Sequence, residues 1–254
     1  MAIWHKVNQD YNPSNTTQFE AVMLADKDGN AMNAFGAASN IPIAAGAVSG
    51  WSHINKFGYS DNILTLSTVW DGSNIYTYST VAGAVTVESD ASLTGDDGAV
   101  IEVQGLDSDY NLVTQNITIS GSTGTGTTDL IRIFRAKVKN PAAGESTNVG
   151  NIDIDIDGAL RAKILEGKGQ TLMAVYTVPA GKTAYLLNLT LSVDKNVDAI
   201  FKLMAHPHGD GASNIKGQFG TFGSPVEHVY PIPIKFEEKS DIEVRANAGS
   251  ACGG

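Results

Sequence analysis

Short runs in which apolar and polar residues alternate, separated by turn-forming residues, make up most of this 254-residue chain. Alternation with a period of two is typical of β-strands that bury one face. The clearest example spans residues 173–187, where two such runs flank Pro179-Ala180-Gly181-Lys182 and predict a β-hairpin. Further strands are predicted at residues 18–25, 63–70, 75–78, 84–89, 99–106, 113–120, 130–138, 149–157, 161–166, 199–205 and 241–246.

Short strands at this spacing are typical of a β-sandwich or a jelly roll. We therefore expect an all-β protein with two antiparallel β-sandwich domains, jelly-roll or Ig-like, at residues 46–147 and 148–254. The boundary is predicted in Lys139–Asn148, which contains Pro141 and Gly144 and is interpreted as a linker. Residues 1–45 are interpreted as an N-terminal arm that packs on another subunit, with an edge hairpin of the first domain as the alternative.

Two segments leave alternatives open. Residues 121–128 are of low complexity and are interpreted as a mobile loop or a long hairpin tip. Residues 159–166 could form a short helix instead of a strand. A strand is favoured because Gly158 and Gly167 enclose a window that is too short for a stable helix.

Composition narrows the classes of partner. The formal net charge of −10 disfavours phosphate backbones and anionic lipid, so neither nucleic acid nor membrane is expected as a partner. No apolar run approaches the roughly 20 residues that a membrane-spanning helix needs. Cys252 is the single cysteine, and the first residues lack the apolar segment of a secretory signal. Synthesis in a reducing cytoplasm is therefore expected.

One aspartate pattern invites a metal hypothesis. Asp153, Asp155 and Asp157 alternate with isoleucines and precede Gly158, which resembles the start of an EF-hand loop. The twelfth position of that loop would be Ile164, where the EF-hand requires a glutamate. The isoleucines instead favour a strand with all three aspartates on one face. That face is interpreted as solvated, with Ca²⁺ as the less favoured alternative.

A histidine-rich segment is the other candidate for chemistry. His206, His208 and Asp210 are close together in sequence and could contribute to a metal site, although Pro207 and the neighbouring glycines favour a surface loop. No nucleophile motif or nucleotide-binding glycine loop is present in the sequence. We therefore expect no enzymatic activity, no catalytic residues and no resident cofactor.

Interaction surfaces are predicted in two places. The stretch from residue 37 to residue 51 is rich in alanine and glycine, which allows close packing on a partner, and Ala44, Ala45, Val48 and Trp51 are its candidate contact residues. Aromatic side chains at residues 70, 76 and 78 could instead form a platform for sugar rings, although packing in the core is the favoured interpretation.

Several stretches, in this order and spacing, resemble structural proteins of tailed bacteriophages of the marine-phage type. They lie at residues 52–59, 69–72, 75–78, 103–107, 110–111, 131–136, 148–152 and 176–183, so the similarity spans roughly residues 50 to 250. Such chains usually continue beyond the strand at 241–246 into a final apolar strand. This sequence stops at Gly254, so we expect either that the last strand is absent or that a neighbouring subunit supplies it, and an unpaired strand edge would favour assembly by strand addition.

The resemblance implies a non-enzymatic component of the virion exterior that is made in the host cytoplasm. An exterior capsid-decoration or head/neck appendage protein is the expected role, with docking on major capsid, neck or tail proteins. A homo-oligomer, for example a trimer, is expected. The alternative function is a tail fibre or a receptor- or glycan-binding tail protein.

Overall fold

The computed structural model describes residues 3–6, 22–25, 43–72, 74–91, 95–194 and 197–248. Two compact units are present, residues 1–55 and residues 56–254. The chain is all-β with antiparallel pairing throughout the described strands, as the sequence predicts. None of the described residues forms a helix with the length and apolarity needed to cross a membrane.

The first unit contains a pair of short strands, β1 (Ile3–Lys6) and β2 (Val22–Ala25). They are antiparallel, with Ile3 opposite Ala25 and Lys6 opposite Val22. β2 falls within the strand predicted at residues 18–25. The rest of the predicted arm up to residue 42 lies outside the described residues.

The second unit contains the remaining described strands. In chain order they are β3 (Ser67–Thr68), β4 (Val85–Ser89), β5 (Val100–Leu106), β6 (Leu112–Thr118), β7 (Thr123–Thr125), β8 (Arg132–Asn140), β9 (Ile152–Ile156), β10 (Ala159–Ile164), β11 (Val175–Thr177), β12 (Ala184–Leu191), β13 (Asp198–His206), β14 (Asn214–Phe222), β15 (Val226–Phe236) and β16 (Asp241–Asn247).

A first hydrophobic core is made of residues from two sheets. One sheet has the strand order β10-β9-β4-β7 and the other the order β6-β5-β8. Alternation explains the packing, because the isoleucines of β9 are buried while the aspartates between them are half-buried. Members of this core from both sheets include Val85, Val87, Ile101, Val103, Ile117, Ile133, Ile152, Ile154 and Ile164. Complete burial of each such side chain contributes about 1.5–3 kcal/mol.

The predicted domain boundary between residues 147 and 148 is wrong, because a sheet crosses it. β9 pairs with β4 along its length, with Ile156 opposite Val85 and Ile152 opposite Ser89. The chain directly after the segment interpreted as a linker is held in place by hydrogen bonds. The buried carboxylate of Asp96 accepts hydrogen bonds from the backbone N–H of Val149 at 2.8 Å and of Gly150 at 3.0 Å.

A second hydrophobic core follows in sequence. Its larger sheet has the order β11-β16-β13-β14, with β3 also paired to β16, and its smaller sheet is the pair β12-β15. Buried members of this core include Val178, Leu191, Ala199, Phe201, Leu203, Phe236, Val244 and Ala246. The chain passes from the first core to the second between Val175 and Val178, since Val175 belongs to the first and Val178 to the second.

The hairpin predicted over residues 173–187 is not formed. β11 pairs with β16, whereas β12 pairs with β15 in another sheet. The turn itself exists, since Lys182 N–H donates to Pro179 O at 3.2 Å and Gly181 has φ +68°. The backbone before the turn is already paired, because Val178 N–H donates to Ser240 O and Val178 O accepts from the Lys239 N–H. A turn signal fixes a change of direction but not the strand partner.

The strand assignments differ elsewhere in three ways. Only Ser67–Thr68 of the strand predicted at 63–70 is formed. Residues 75–78 form no strand, because the Tyr76 N–H donates to the Thr68 side chain at 2.9 Å. The segment 121–128, interpreted as a loop or tip, contains strand β7. β14 and β15 were not predicted, since glycines in β14 and two prolines in β15 are unusual in strand interiors. The strand favoured at 161–166 is confirmed by β10.

Asp71 connects the loop after β3 to the segment before β11. Its Oδ2 accepts the backbone N–H of Leu172 at 2.5 Å, while its Oδ1 is buried and has no hydrogen-bond partner among the described residues. Burial raises the pKa of the Asp71 carboxyl from 3.8 to about 7. The folded state therefore holds a proton at this group over a pH range in which the unfolded chain has lost it.

This shift predicts a pH-dependent effect of Asp71→Asn. Because the folded-state pKa is raised, the free energy of unfolding of the natural chain falls as pH rises from about 4 to about 7. Asparagine keeps the acceptor for Leu172 without the charge, so the variant should be more stable by roughly 1–2 kcal/mol at pH 8, after allowance for partial exposure. The difference should vanish near pH 4.

Urea unfolding at pH 4 and pH 8 measures this difference. Asp210→Asn is the matched control, because Asp210 is an exposed loop residue. Equal effects of Asp71→Asn at both pH values would contradict the assignment.

Candidate functional site

The predicted aspartate face does not form as a row of three. Asp153 and Asp155 lie on β9, but Asp157 follows the strand in a turn with φ +50°. Its Oδ1 accepts the backbone N–H of Ala84 at 3.0 Å, and its carboxylate occupies the space that a Cβ at Gly83 would need. Asp157 is therefore a structural turn residue. Gly83 leaves room for its carboxylate because glycine has no Cβ.

The two aspartates that remain on the face are in an acidic neighbourhood. Asp153 lies opposite Glu88 of β4, and Lys163 Nζ is 2.8 Å from Asp153 Oδ1. Burial, followed by the charges of Asp153 and Glu88, raises the pKa of Asp155. No group of three histidine, cysteine, aspartate or glutamate side chains within the described ranges is arranged to hold a metal ion. The Ca²⁺ alternative therefore has no support from geometry.

The two histidines of the second metal hypothesis are held by different partners. His206 is the last residue of β13, and its Nε2 lies 3.0 Å from Glu243 Oε1. The ring of His208 instead packs edge-on against Tyr110, with 5.3 Å between ring centroids. The interpretation of residue 206 as part of a surface loop is wrong, because β13 extends through it.

Glu243 is the centre of a buried polar cluster. Its side chain is fully buried, and its Oε1 accepts from Arg245 Nε at 2.9 Å and from Arg245 Nη2 at 2.5 Å. Its Oε2 accepts from Thr68 Oγ1 at 2.5 Å. Burial raises the pKa of this carboxyl, but hydrogen bonds from His206, Arg245 and Thr68 outweigh burial and lower it overall. Glu243 is therefore an ionised structural anchor.

A second buried ion pair involves Asp241, two residues before Glu243 on β16. Arg132 of β8 binds Asp241 through two parallel hydrogen bonds, Nε to Oδ1 and Nη2 to Oδ2, both 2.8 Å long. Thr177 Oγ1 adds a bond to Asp241 Oδ1 at 2.5 Å. Burial lowers the pKa of Arg132, but Asp241 outweighs this effect and raises it. The pair joins a strand of the first core to a strand of the second.

Aromatic rings cover this polar cluster. Trp70, Tyr76 and Tyr78 follow one another at centroid distances of 5.0 and 4.9 Å, and Tyr78 lies 5.5 Å from the His206 ring. The Arg132 guanidinium lies over the Tyr78 ring at 5.1 Å. Trp70 and Tyr76 are 5% and 3% exposed, so they cannot serve as a sugar platform. Their packing in the core is confirmed.

The residues predicted for protein contacts lie in the first unit. Ala44 and Ala45 are exposed, Val48 is half-buried, and Trp51 is 54% exposed. Trp51 N–H donates to Val48 O at 3.3 Å, which places these two residues on one turn. Nothing in the geometry assigns them a partner, so their role stays a prediction.

The sequence pattern does not predict the polar cluster on β16. Its charged residues alternate with apolar ones from Asp241 to Arg245, a pattern that normally indicates a solvent-exposed face. β16 is instead an interior strand between β13 and the strands β11 and β3, so Asp241 and Glu243 point into covered space. The one available signal was the presence of acidic and basic residues on the same face, which permits mutual neutralisation.

Comparison with known proteins leaves the chain without an assigned relative. No family model matches it, no curated protein matches it, and no solved structure matches it.

The Arg132–Asp241 pair predicts a large loss of stability on removal of one charge. Asp241→Asn leaves the Arg132 guanidinium buried without a counter-charge, which should reduce the free energy of unfolding by about 3–5 kcal/mol. Urea unfolding followed by tryptophan fluorescence measures the change. Glu237→Gln, which breaks the exposed pair Lys235–Glu237, is the control and should leave the midpoint unchanged. A similar, small effect of both substitutions would contradict the structural role.

Proposed function

We propose that this chain is a non-enzymatic structural protein of a tailed-phage virion, an exterior capsid-decoration or head/neck appendage protein that docks on other virion proteins. The observation that carries the proposal is how the chemically versatile side chains are used. His206 is hydrogen-bonded to Glu243 and Arg132 to Asp241 at a buried junction, where these contacts stabilise the fold. The resemblance to phage structural proteins supplies the class of particle.

Exposed apolar side chains support a role in binding other proteins. Large apolar side chains are exposed on both units, among them Trp51, Ile54, Phe57, Tyr59, Leu64, Phe222, Val229 and Ile232. Contiguous apolar patches are typical of surfaces that contact other proteins, and the exposed Ile54, Phe57 and Tyr59 are close together in sequence. An acidic chain can use such patches on a major capsid, neck or tail protein without attracting nucleic acid or anionic lipid.

For the fold, we propose two β-sandwiches of the jelly-roll or Ig-like kind. The sheets β10-β9-β4-β7 and β6-β5-β8 would form the first, and the sheet containing β16 with the pair β12-β15 would form the second. The two separate hydrophobic clusters support this division. The boundary then lies near residue 176, and the segment from residue 63 to residue 69 belongs to the second sandwich through Ile63 and Val69.

For assembly, we propose that the N-terminal arm anchors the chain and that the rest projects. Ala44, Ala45, Val48 and Trp51 would contact the partner, and the protein would be made in the host cytoplasm before joining the virion as a homo-oligomer, for example a trimer. Support comes from the exposure of Trp51 and both alanines. No metal or cofactor is part of the proposal.

Deletion of residues 1–45 should abolish incorporation into phage particles. The remaining chain retains the second unit, so its circular dichroism should still be that of a folded β protein. Particle-bound protein, measured by immunoblot of purified virions, should fall at least tenfold relative to the full chain. Asp210→Asn, which alters an exposed loop residue, is the control and should be incorporated normally. Normal incorporation of the folded truncation would refute the anchoring role.

A receptor- or glycan-binding tail protein is the competing function. The exposed rings of Phe57 and Tyr59 are two residues apart and are the aromatics that such a protein would use. A glycan array, together with the number of copies per virion, separates the two functions. A decoration protein should show many regularly placed copies and no sugar binding. Sugar binding that Tyr59→Ala abolishes, with few copies per particle, would favour the tail protein instead.

A further inference from the structure

The edge strand β12 has an unused backbone edge. Among the described strands it pairs only with β15, so the N–H and C=O groups on its other side are not part of a ladder. Its eight residues, Ala184–Leu191, include no charge, no proline and no glycine. Tyr185 and Leu187 are exposed by 46% and 41%. An uncharged apolar edge of this kind is a template for pairing with another strand.

The opposite edge of the same two-stranded sheet is closed to pairing. Between the pairs Leu186–Ile234 and Asn188–Val229, β15 carries several more residues than β12, and these include Pro231 and Pro233. Proline removes a ladder donor, and the bulge bends the strand away. Strand addition to this sheet is therefore directed to β12.

Another long uncharged edge strand is already covered. β6 also lacks charge, but the Gln115 side chain on β6 holds the segment after β7 beside it. Gln115 Oε1 accepts the N–H groups of Thr127 and Thr128 at 2.9 and 3.1 Å, and Gln115 Nε2 donates to Thr128 O at 2.9 Å. No comparable cover is bonded to β12 in the described part of the chain.

We propose that β12 pairs antiparallel with β12 of a second copy of this chain, which joins the two β12-β15 pairs into one four-stranded sheet. The burial pattern along β12 supports a second copy as the occupant, because it is the same in both directions. Residues 184, 186, 189 and 191 face the core, and residues 185, 187, 188 and 190 face outward. Opposed residues in a ladder share a face, and self-pairing about Leu187-Asn188 satisfies this condition at every position.

Charge also selects the antiparallel orientation. Lys182 precedes β12 and Asp194 follows it, and both are exposed. Antiparallel self-pairing brings the Lys182 end of one copy to the Asp194 end of the other, twice by symmetry. Parallel pairing would instead bring like charges together. Elsewhere the net charge of −10 opposes contact between copies, whereas β12 itself contributes no charge.

This interface deepens the homo-oligomer part of the proposed function and rests on it, and its two-fold symmetry replaces the trimer given there as an example with a dimer. A strand supplied by a neighbour would also give β12-β15 the third and fourth strands that isolated two-stranded sheets lack for stability. Self-association through β12 is measured on the purified chain, without phage particles. It can therefore be absent even if the chain is found on virions, so failure of this interface and failure of the proposed function are distinguishable.

Disulfide trapping tests the register. In a Cys252→Ser background, Tyr185→Cys and Thr190→Cys are prepared separately and oxidised alone or mixed in equal amounts. The proposed pairing places residue 185 of one copy opposite residue 190 of the other, about 4.5–5.5 Å apart between Cα atoms, which a disulfide can bridge. The mixture should give covalent dimers on a non-reducing gel, and each variant alone should give at least tenfold fewer.

Charge reversal tests the orientation. Lys182→Glu and Asp194→Lys should each weaken self-association about tenfold, because each places like charges at both ends of the interface. Light scattering as a function of protein concentration measures the self-association. The double variant should restore the affinity of the natural chain. Dimers from Tyr185→Cys alone, equal crosslinking in all samples, a monomeric natural chain, or no restoration in the double variant would overturn the proposal.

Discussion

The buried pair between Arg132 and Asp241 is the interaction on which the arrangement of this chain depends. Arg132 belongs to β8 of the first core, and Asp241 belongs to β16 of the second, so the bidentate contact fixes one core relative to the other. Both charges are withdrawn from water, and such a pair is stable only when its remaining bonding groups are satisfied. Thr177 and the rings of Tyr78 and Tyr110 supply that environment. Two residues further along β16, the buried carboxylate of Glu243 is likewise paired with a basic side chain, that of Arg245.

These contacts give the histidine and the acids at this junction a structural role. Each carboxylate oxygen of Glu243 already accepts hydrogen bonds, and the guanidinium of Arg132 is occupied by Asp241. Their charges are balanced by immediate partners, which favours a role in specifying how two apolar cores meet. The proposed role in a larger assembly draws instead on exposed apolar side chains and on the edge of β12 that is unpaired among the described strands.

Much of the fold followed from sequence periodicity, and the failures have physical causes. Alternation located β4, β5, β6, β8, β9 and β13 within one or two residues at most ends, because each buries one face. Strand partners could not be derived, since the turn at Gly181 is compatible with a hairpin and with the crossing to another sheet that occurs. Sequence spacing also misled at residue 148, where Pro141 and Gly144 suggested a linker but Asp96 holds the chain by two hydrogen bonds. Asp157 was assigned to a strand face because alternation carries no information on where a strand ends.

The two cores should unfold as one body, because buried charges join them. Native-state hydrogen exchange measures this directly, since it gives the free energy of opening for each amide. We expect the slowest amides of β5 in the first core and of β13 in the second to exchange with the same free energy, equal to that of global unfolding. Exchange of β13 at a clearly lower free energy, while β5 stays protected, would contradict the claim.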